Sequence, residues 1–265
     1  MLVDLKNLRG YAIRATDGDI GTVKDFYFDD ERWVLRYLVV ETGSWLASRQ
    51  VLISPFSIGT PDHAAKVLPV SITQEQVRGS PDIDMDKPVS RQNEIEYLSY
   101  YGYPDYWGGS GLWGGEAFPG MITGPGYTPA LTPTTADEVE QLRAAAEAHA
   151  AAHEHDDPHL RSCKNVTGYH IKATDGEIGH VQSFIVDEAS WAIRYLVVDT
   201  SNWWLGHKVL VSPQWINAVS WEERLVSADL TQDAVRASPP YDPDVLPDRD
   251  REAGIYAHYD RPGYW

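Results

Sequence analysis

The chain has 265 residues, 43% of them apolar, and a formal net charge of −17 from 39 acidic and 22 basic residues. The apolar share suffices for one large core or two modest ones. The acidic excess argues against nucleic acid and anionic membrane surfaces as partners, because both are held by clustered Lys and Arg.

The opening MLVDLKNLRG carries Asp, Lys and Arg where a secretory signal would be apolar. The longest apolar runs, WVLRYLVV and WAIRYLVV, are short and interrupted by Arg, so no membrane span is expected. A single cysteine excludes an internal disulfide framework. A cytoplasmic protein is the expectation.

In chain order, YAIRAT and the run from Ile20 to Phe28 read as strands flanking Asp17-Gly18, which predicts a type I′ hairpin. The polar turn DDER precedes Trp33. WVLRYLVVET follows, a strand apolar on both faces and so expected to be covered on both. QVLIS is a short strand stopped by Pro55, and AKVLPVSI another. Thr73 and Gln76 form a capping box that opens a short helix ended by Pro81. The tail EIEYLSYYGYPDYW, ending at Trp107, is punctuated by Gly and Pro. It is either a strap packed on its own or the sibling unit, or an exposed recognition tail.

Residues 108–158 divide in two. GGSGLWGGEAFPGMITGPGYTPALTPTT reads as loop or linker. ADEVEQLRAAAEAHAAAHEH reads as a helix with Thr135 as N-cap and Pro158 beyond its end.

The rest of the chain repeats its beginning without a gap. One constant shift carries Gly10-Tyr11 onto Gly168-Tyr169, ATDGDIG onto ATDGEIG, RYLVVET onto RYLVVDT and VLISP onto VLVSP. The same shift carries Trp107 onto Trp265. The expected organisation is a first repeat over 1–107, a linker over 108–158 and a second repeat over 159–265. The copy keeps Thr231 but has Ala234 where the capping box needs Gln, so its helix cap is weaker. Short strands joined by tight turns in both repeats predict a mainly β protein, two small β-barrels in tandem with short helices and a helical linker segment.

The run GYAIRATDGDIGTVKDFYFDDERWVLRYLVV and its copy resemble the PRC-barrel, the domain of the cytoplasmic part of the photosynthetic reaction centre H subunit and of the C-terminal half of the ribosome maturation factor. The matching features are Asp17-Gly18 with Gly21, the pattern around the hairpin, and the Trp/Arg-Tyr-Leu-Val strand. The resemblance covers roughly 5–80 and 163–238. The layout is similar to that of soluble bacterial proteins with two PRC-barrels, often labelled reaction-centre-H-like. It departs from the H subunit in lacking an N-terminal membrane helix, and from the maturation factor in having a second barrel, so neither role carries over. What the resemblance implies is a barrel used as an adaptor surface, without catalysis of its own.

Several side chains are candidates for chemistry. His149 and His153 stand four apart on the Ala-rich helix, with His155, Asp156 and His159 near enough to complete a metal shell. The catalytic Glu of a His-Glu-x-x-His site is absent, and a solvated helix that happens to carry His explains them as well. Cys163 aligns with Leu5 and reads as buried and inert. Asp17 and Asp19, with Asp175 and Glu177 in the copy, are better explained by turn chemistry than by calcium.

Arg36 and Arg194, mid-strand, each need a carboxylate. Asp29 and Asp187 are the matched candidates, besides Asp25, Asp17 and Asp175, and a ligand-binding arginine is the other reading. GGSGLWGG lacks the Lys-Ser/Thr of a phosphate loop. Ser54 and Ser212, each before Pro, read as turn residues. Trp45 and Trp203-Trp204 are either lids or contact residues.

No catalytic, cofactor-binding or metal site is expected. The functional expectation is a non-enzymatic adaptor or scaffold with a protein partner, a basic one by charge, and self-association remains open. The alternative is a sensor binding a metal at the His cluster or a small ligand in a groove between barrels.

Overall fold

The computed structural model describes residues 1–81, 91–107, 110–121, 160–200 and 207–265. The described chain is mainly β. Its elements are β1 (Leu2–Asp4), α1 (Leu5–Leu8), β2 (Ala12–Arg14), β3 (Asp19–Asp29), β4 (Val34–Thr42), β5 (Gln50–Ile53), β6 (Val67–Pro69), α2 (Gln74–Gly79) and α3 (Arg91–Tyr101). Beyond these lie β7 (Leu160–Ser162), α4 (Cys163–Val166), β8 (His170–Ala173), β9 (Gly176–Asp187), β10 (Ala192–Asp199), β11 (Lys208–Val211), β12 (Ile216–Ser220), β13 (Leu225–Ala228), α5 (Gln232–Arg236) and α6 (Arg249–His258).

Two compact units form. The amino unit is Arg9–Arg161 with Ala189–Trp191, and the carboxy unit is Met1–Leu8, Ser162–Glu188 and Ala192–Trp265. These units do not coincide with the sequence repeats 1–107 and 159–265: the first strand of each repeat falls in the other unit, and Ala189–Trp191 fall in the amino unit. In the carboxy unit β1 runs antiparallel to β9, with Leu2 opposite Asp187, Val3 opposite Val186 and Asp4 opposite Ile185. In the amino unit Leu160 and Arg161 of β7 lie beside β3. Arg161 is tied there by its Nε to Asp30 Oδ2 at 2.9 Å.

Within each unit the strand order is the same. The amino unit runs β6-β2-β3-β4-β5 and the carboxy unit β13-β8-β9-β10-β11, with β12 added on β13. Only the β2/β6 and β8/β13 pairs are parallel among these; the others are antiparallel.

The repeated turn acts as a clasp. Asp17-Gly18 sits at the tip between β2 and β3, but not as the expected type I′ turn. Gly18 has φ 155°, and Asp17 is not among the described residues with positive φ, whereas type I′ needs both. Asp17 has a different task. Its Oδ1 accepts the backbone N–H of Gln74 at 2.7 Å, while Gln74 Nε2 donates to the carbonyl of Asp19 at 2.7 Å. The start of α2 is thereby pinned over the hairpin tip. Asp175 and Gln232 repeat both bonds, at 2.8 and 2.7 Å.

Gly21 answers a second constraint. A Cβ there would lie 2.0 Å from the carbonyl oxygen of Glu41 on the paired strand, and at Gly179 one would lie 2.1 Å from that of Asp199. Only glycine lets the two backbones come this close.

The long strands bend at bulges. On β4, Tyr37 pairs with Tyr27 and Leu35 with Phe28, so Arg36 is the extra residue. On β10 the pairs at Ile193 and Tyr195 leave Arg194 extra in the same way. A bulge bends its strand and re-aims the side chain it carries.

The helix caps follow the sequence. Thr73 and Gln76 form the full capping box, while Thr231 receives the Ala234 N–H at 3.2 Å without the return bond. Ser54 and Ser212 cap short 3₁₀ turns opened by the prolines that follow them. Cys163 is buried.

Candidate functional site

Where each repeat's tail meets its central strand, the same constellation appears twice. In the amino unit α3 carries Glu94, buried at 2% exposure. Tyr37 on β4 donates its hydroxyl to Glu94 Oε1 at 3.2 Å, and Tyr106 of the tail donates to the same oxygen. Arg36 lies over the Tyr106 ring, with 3.8 Å from guanidinium carbon to ring centroid. Its Nη2 donates to Asp29 Oδ2 at 2.9 Å and its Nη1 to the carbonyl of Leu112 at 2.7 Å.

In the carboxy unit Glu252 of α6 accepts from Tyr195 at 2.9 Å and from Tyr264 at 2.7 Å. Arg194 lies 4.1 Å from the Tyr264 centroid and 3.6 Å from Asp187. Arg249 adds a second cation, 3.2 Å from Glu252 and 4.5 Å from the Trp265 ring centroid.

The electrostatics suit a permanent joint. Burial, followed by the nearby Glu94 carboxylate, pushes the Tyr37 phenol well above its ordinary range. Burial and Glu252 do the same to Tyr195. Tyr264 is pushed up to about 12, again by burial first and then by its bond to Glu252. A phenol that keeps its proton donates to a carboxylate, and the bond is strengthened by the dry surroundings. Each clamp therefore ties tail to strand through a shared carboxylate, with an arginine held between an aspartate and an aromatic face.

The bulge is what brings the arginines in. Read as a regular strand, Arg36 shares a face with Val34 and Leu38; as the extra residue of a bulge it is re-aimed into contact with Asp29 and Tyr106. The expected pairs Arg36–Asp29 and Arg194–Asp187 are both present. The two sites differ in cover, since the Arg36 side chain has no exposed surface while that of Arg194 is 20% exposed.

Part of this difference comes from the segment expected to be linker. Residues 111–116 close a small turn through Gly111–Gly114 and Trp113–Glu116 bridges. Trp113 is buried, packs edge-on against Phe56 at 4.9 Å, and donates its indole N–H to the carbonyl of Ser190 at 2.8 Å. Trp113 is thus part of the amino unit's core rather than of a spacer.

The tails are straps on their own units. α3 ends at Tyr101, and Gly102 with φ 68° turns the chain. Tyr97 bonds Leu52 and Ser54 at 3.1 Å each, and Tyr103 packs on Phe56. In the carboxy unit Trp215 packs against Tyr256 and Tyr259. Trp265 rests on Tyr256 but stays 55% exposed. Trp45 is a lid on its own unit, its indole N–H donating to the carbonyl of Ile20 at 2.7 Å.

Glu94 and Glu252, with Tyr37 and Tyr195, are the clamp residues that the sequence reading missed. A signal existed: the constant shift places a Glu at both positions although the surrounding tails have diverged, and buried acids in aromatic surroundings call for phenolic donors.

The other candidates separate. Asp17, Asp19, Asp175 and Glu177 serve the hairpin clasp. His149, His153, His155, Asp156 and His159, the helix around them, and Trp203-Trp204 lie outside the described residues. Among the described residues no three His, Cys, Asp or Glu side chains are grouped to hold a metal, and no helix is long and apolar enough to cross a membrane.

Residues 2–67 match the family model of the PRC-barrel domain. The chain carries a PRC-barrel domain at that place. No curated protein matches the chain.

Proposed function

We propose that the protein is a non-enzymatic adaptor that holds protein partners on the surfaces of two PRC-type units, the second formed by the second repeat. The observation that carries this reading is the duplicated clamp. Its carboxylates, phenols and guanidinium groups are engaged with one another, so the most chemistry-bearing cluster of each unit serves to fasten a tail. A PRC-barrel domain over residues 2–67 is compatible with such a role. This is a fold-level warrant.

Two related surfaces on one chain raise avidity through effective concentration. The net charge of −17 favours a basic partner surface, whose binding weakens as salt rises. The test begins with the full chain immobilised at low ionic strength and exposed to lysate of its source. A recovered partner is purified and its dissociation constant measured over a salt series. The expected result is a basic protein whose affinity falls steadily with salt. Turnover of a small molecule by the purified chain, or partner binding indifferent to salt, overturns the proposal.

A further inference from the structure

The first eight residues sit in a place their own sequence does not dictate. The PRC-barrel match covers residues 2–67, yet Met1–Leu8 belong to the carboxy unit and the amino unit starts at Arg9. The segment's strand pairing and its terminal contacts fall on one short stretch of β9 and its continuation. The backbone pairs Leu2–Asp187, Val3–Val186 and Asp4–Ile185, and the Glu188 N–H donates to the carbonyl of Met1 at 2.9 Å. The amino-terminal ammonium stands 3.5 Å from Asp187.

Side chains fix the register. Asp4 is fully buried, accepts the Ser183 hydroxyl and lies 3.0 Å from the Lys6 ammonium. Val3, Leu5 and Leu8 are buried, and α1 lies against β9. This is strand addition with an anchored acid, the arrangement by which a short peptide completes another body's sheet.

The link between donor strand and donor body is a hinge. Arg9 and Gly10 are exposed, Gly10 has φ 82°, and a Cβ at Gly10 would meet nothing within 4 Å. The bonds of these two residues go to the amino unit: Arg9 reaches Asp25 and the Gly10 N–H bonds the carbonyl of Val23. The segment's bonds to β9 therefore do not require that donor and acceptor share a chain.

We infer that the β9 edge is an acceptor site for the segment Met1–Leu8 and that it takes this segment from a second copy of the chain as well as from its own. Exchange of an identical element between copies is a low-cost route to self-association. The tethered strand has the advantage of an effective concentration of about millimolar, so donation within the chain prevails in dilute solution and donation between chains grows with concentration. The inference stands apart from the adaptor reading, since it concerns copies of this chain and not a foreign partner.

The test uses full-length chains. Facing residues of an antiparallel pair have Cα atoms roughly 4.5–5.5 Å apart, a span a disulfide bridges. One protein carries Val3→Cys alone and the other Val186→Cys alone. The two are mixed, unfolded, refolded together at a series of concentrations and oxidised. A parallel series uses Leu2→Cys and Asp187→Cys, positions that are only half-buried, the second of which also removes the carboxylate facing Arg194 and the terminal ammonium. Wild-type mixtures give the background from Cys163.

A disulfide-linked heterodimer is expected, its share rising at least about tenfold over a hundredfold rise in concentration. The same Cys pair within one chain forms an internal crosslink at every concentration. If the internal crosslink forms but no heterodimer appears at the highest concentration in either series, donation between copies is overturned. If neither pair crosslinks within one chain, the acceptor site itself is wrong.

Discussion

Replacing Arg36 by Met, and separately Arg194 by Met, puts one arginine to the test in two settings. The Arg36 side chain has no exposed surface, and Asp29, 2.9 Å away, is 6% exposed. After the change Asp29 Oδ2 keeps its charge in a dry place, and the carbonyl of Leu112 loses its donor. Removing one partner of a buried pair costs about 3–5 kcal/mol. The low end applies, because Asp29 Oδ1 still accepts N–H bonds from Glu31 at 3.0 Å and Arg32 at 3.2 Å.

At Arg194 the pair is 3.6 Å apart and both side chains are 20% exposed, so water replaces the lost partner. A cost of about 1 kcal/mol follows. The amino unit spans about 155 residues and the carboxy unit about 110, so each kcal/mol lowers Tm by about 2–4 °C in the first and about 4–8 °C in the second; R36M loses roughly 6–12 °C and R194M roughly 4–8 °C. Differential scanning calorimetry of the full chain, with near-ultraviolet circular dichroism to follow the aromatic clamps, measures both. Removing the stranded charge in the double variant R36M/D29N should restore a large part of the loss. Equal free-energy losses for the two single variants, or no recovery in the double variant, would refute the burial argument.

Two further outcomes check the fold's joints. Tyr103, Tyr259 and Tyr264 are each pushed up to about 12, from an ordinary 10.0, by burial above all. A group whose folded pKa is raised contributes stability that is whole below its unfolded pKa and is lost as pH rises through the folded one. Stability should therefore decline between about pH 10 and pH 12, with phenolate absorbance appearing together with unfolding; phenolate absorbance near pH 10 with an unchanged near-ultraviolet spectrum contradicts this. Gly21→Ala, with its new Cβ 2.0 Å from the Glu41 carbonyl, should lose about 2–3 kcal/mol in urea titration. Gly115→Ala, with nothing within 4 Å of its Cβ, should stay within about 0.5 kcal/mol of wild type, and similar losses for the two remove close approach as the reason for Gly21.

Most of the local structure was legible because it is written in short-range chemistry. Thr73 and Gln76 cap α2 within one turn of chain, Pro55 and Pro213 open 3₁₀ turns behind Ser54 and Ser212, and the run from Val34 to Thr42 is buried along almost its whole length, as a strand apolar on both faces must be. The Arg36–Asp29 pairing was legible too, because a charge in an apolar strand has to find an opposite one nearby.

Other features depend on distant residues meeting, and no local pattern encodes them. The turn at Asp17-Gly18 departs from type I′ because Asp17 is drawn to the backbone of Gln74, far along the chain. The bulges that re-aim Arg36 and Arg194 are properties of strand pairing, since an extra residue exists only relative to a partner strand. Trp113 reads as linker in a Gly-rich stretch and becomes core because Phe56 and the Ser190 carbonyl receive it.

The crossing of the first strands is the furthest from sequence. Leu2–Asp4 and Leu160–Ser162 occupy equivalent places in the repeat, yet the first pairs with β9 and the second with β3. Periodicity and propensity state that these residues form a strand. Which edge that strand completes is a choice between two near-identical acceptors, and it is made only when Asp4 finds Ser183 and Arg161 finds Asp30 in the folded chain.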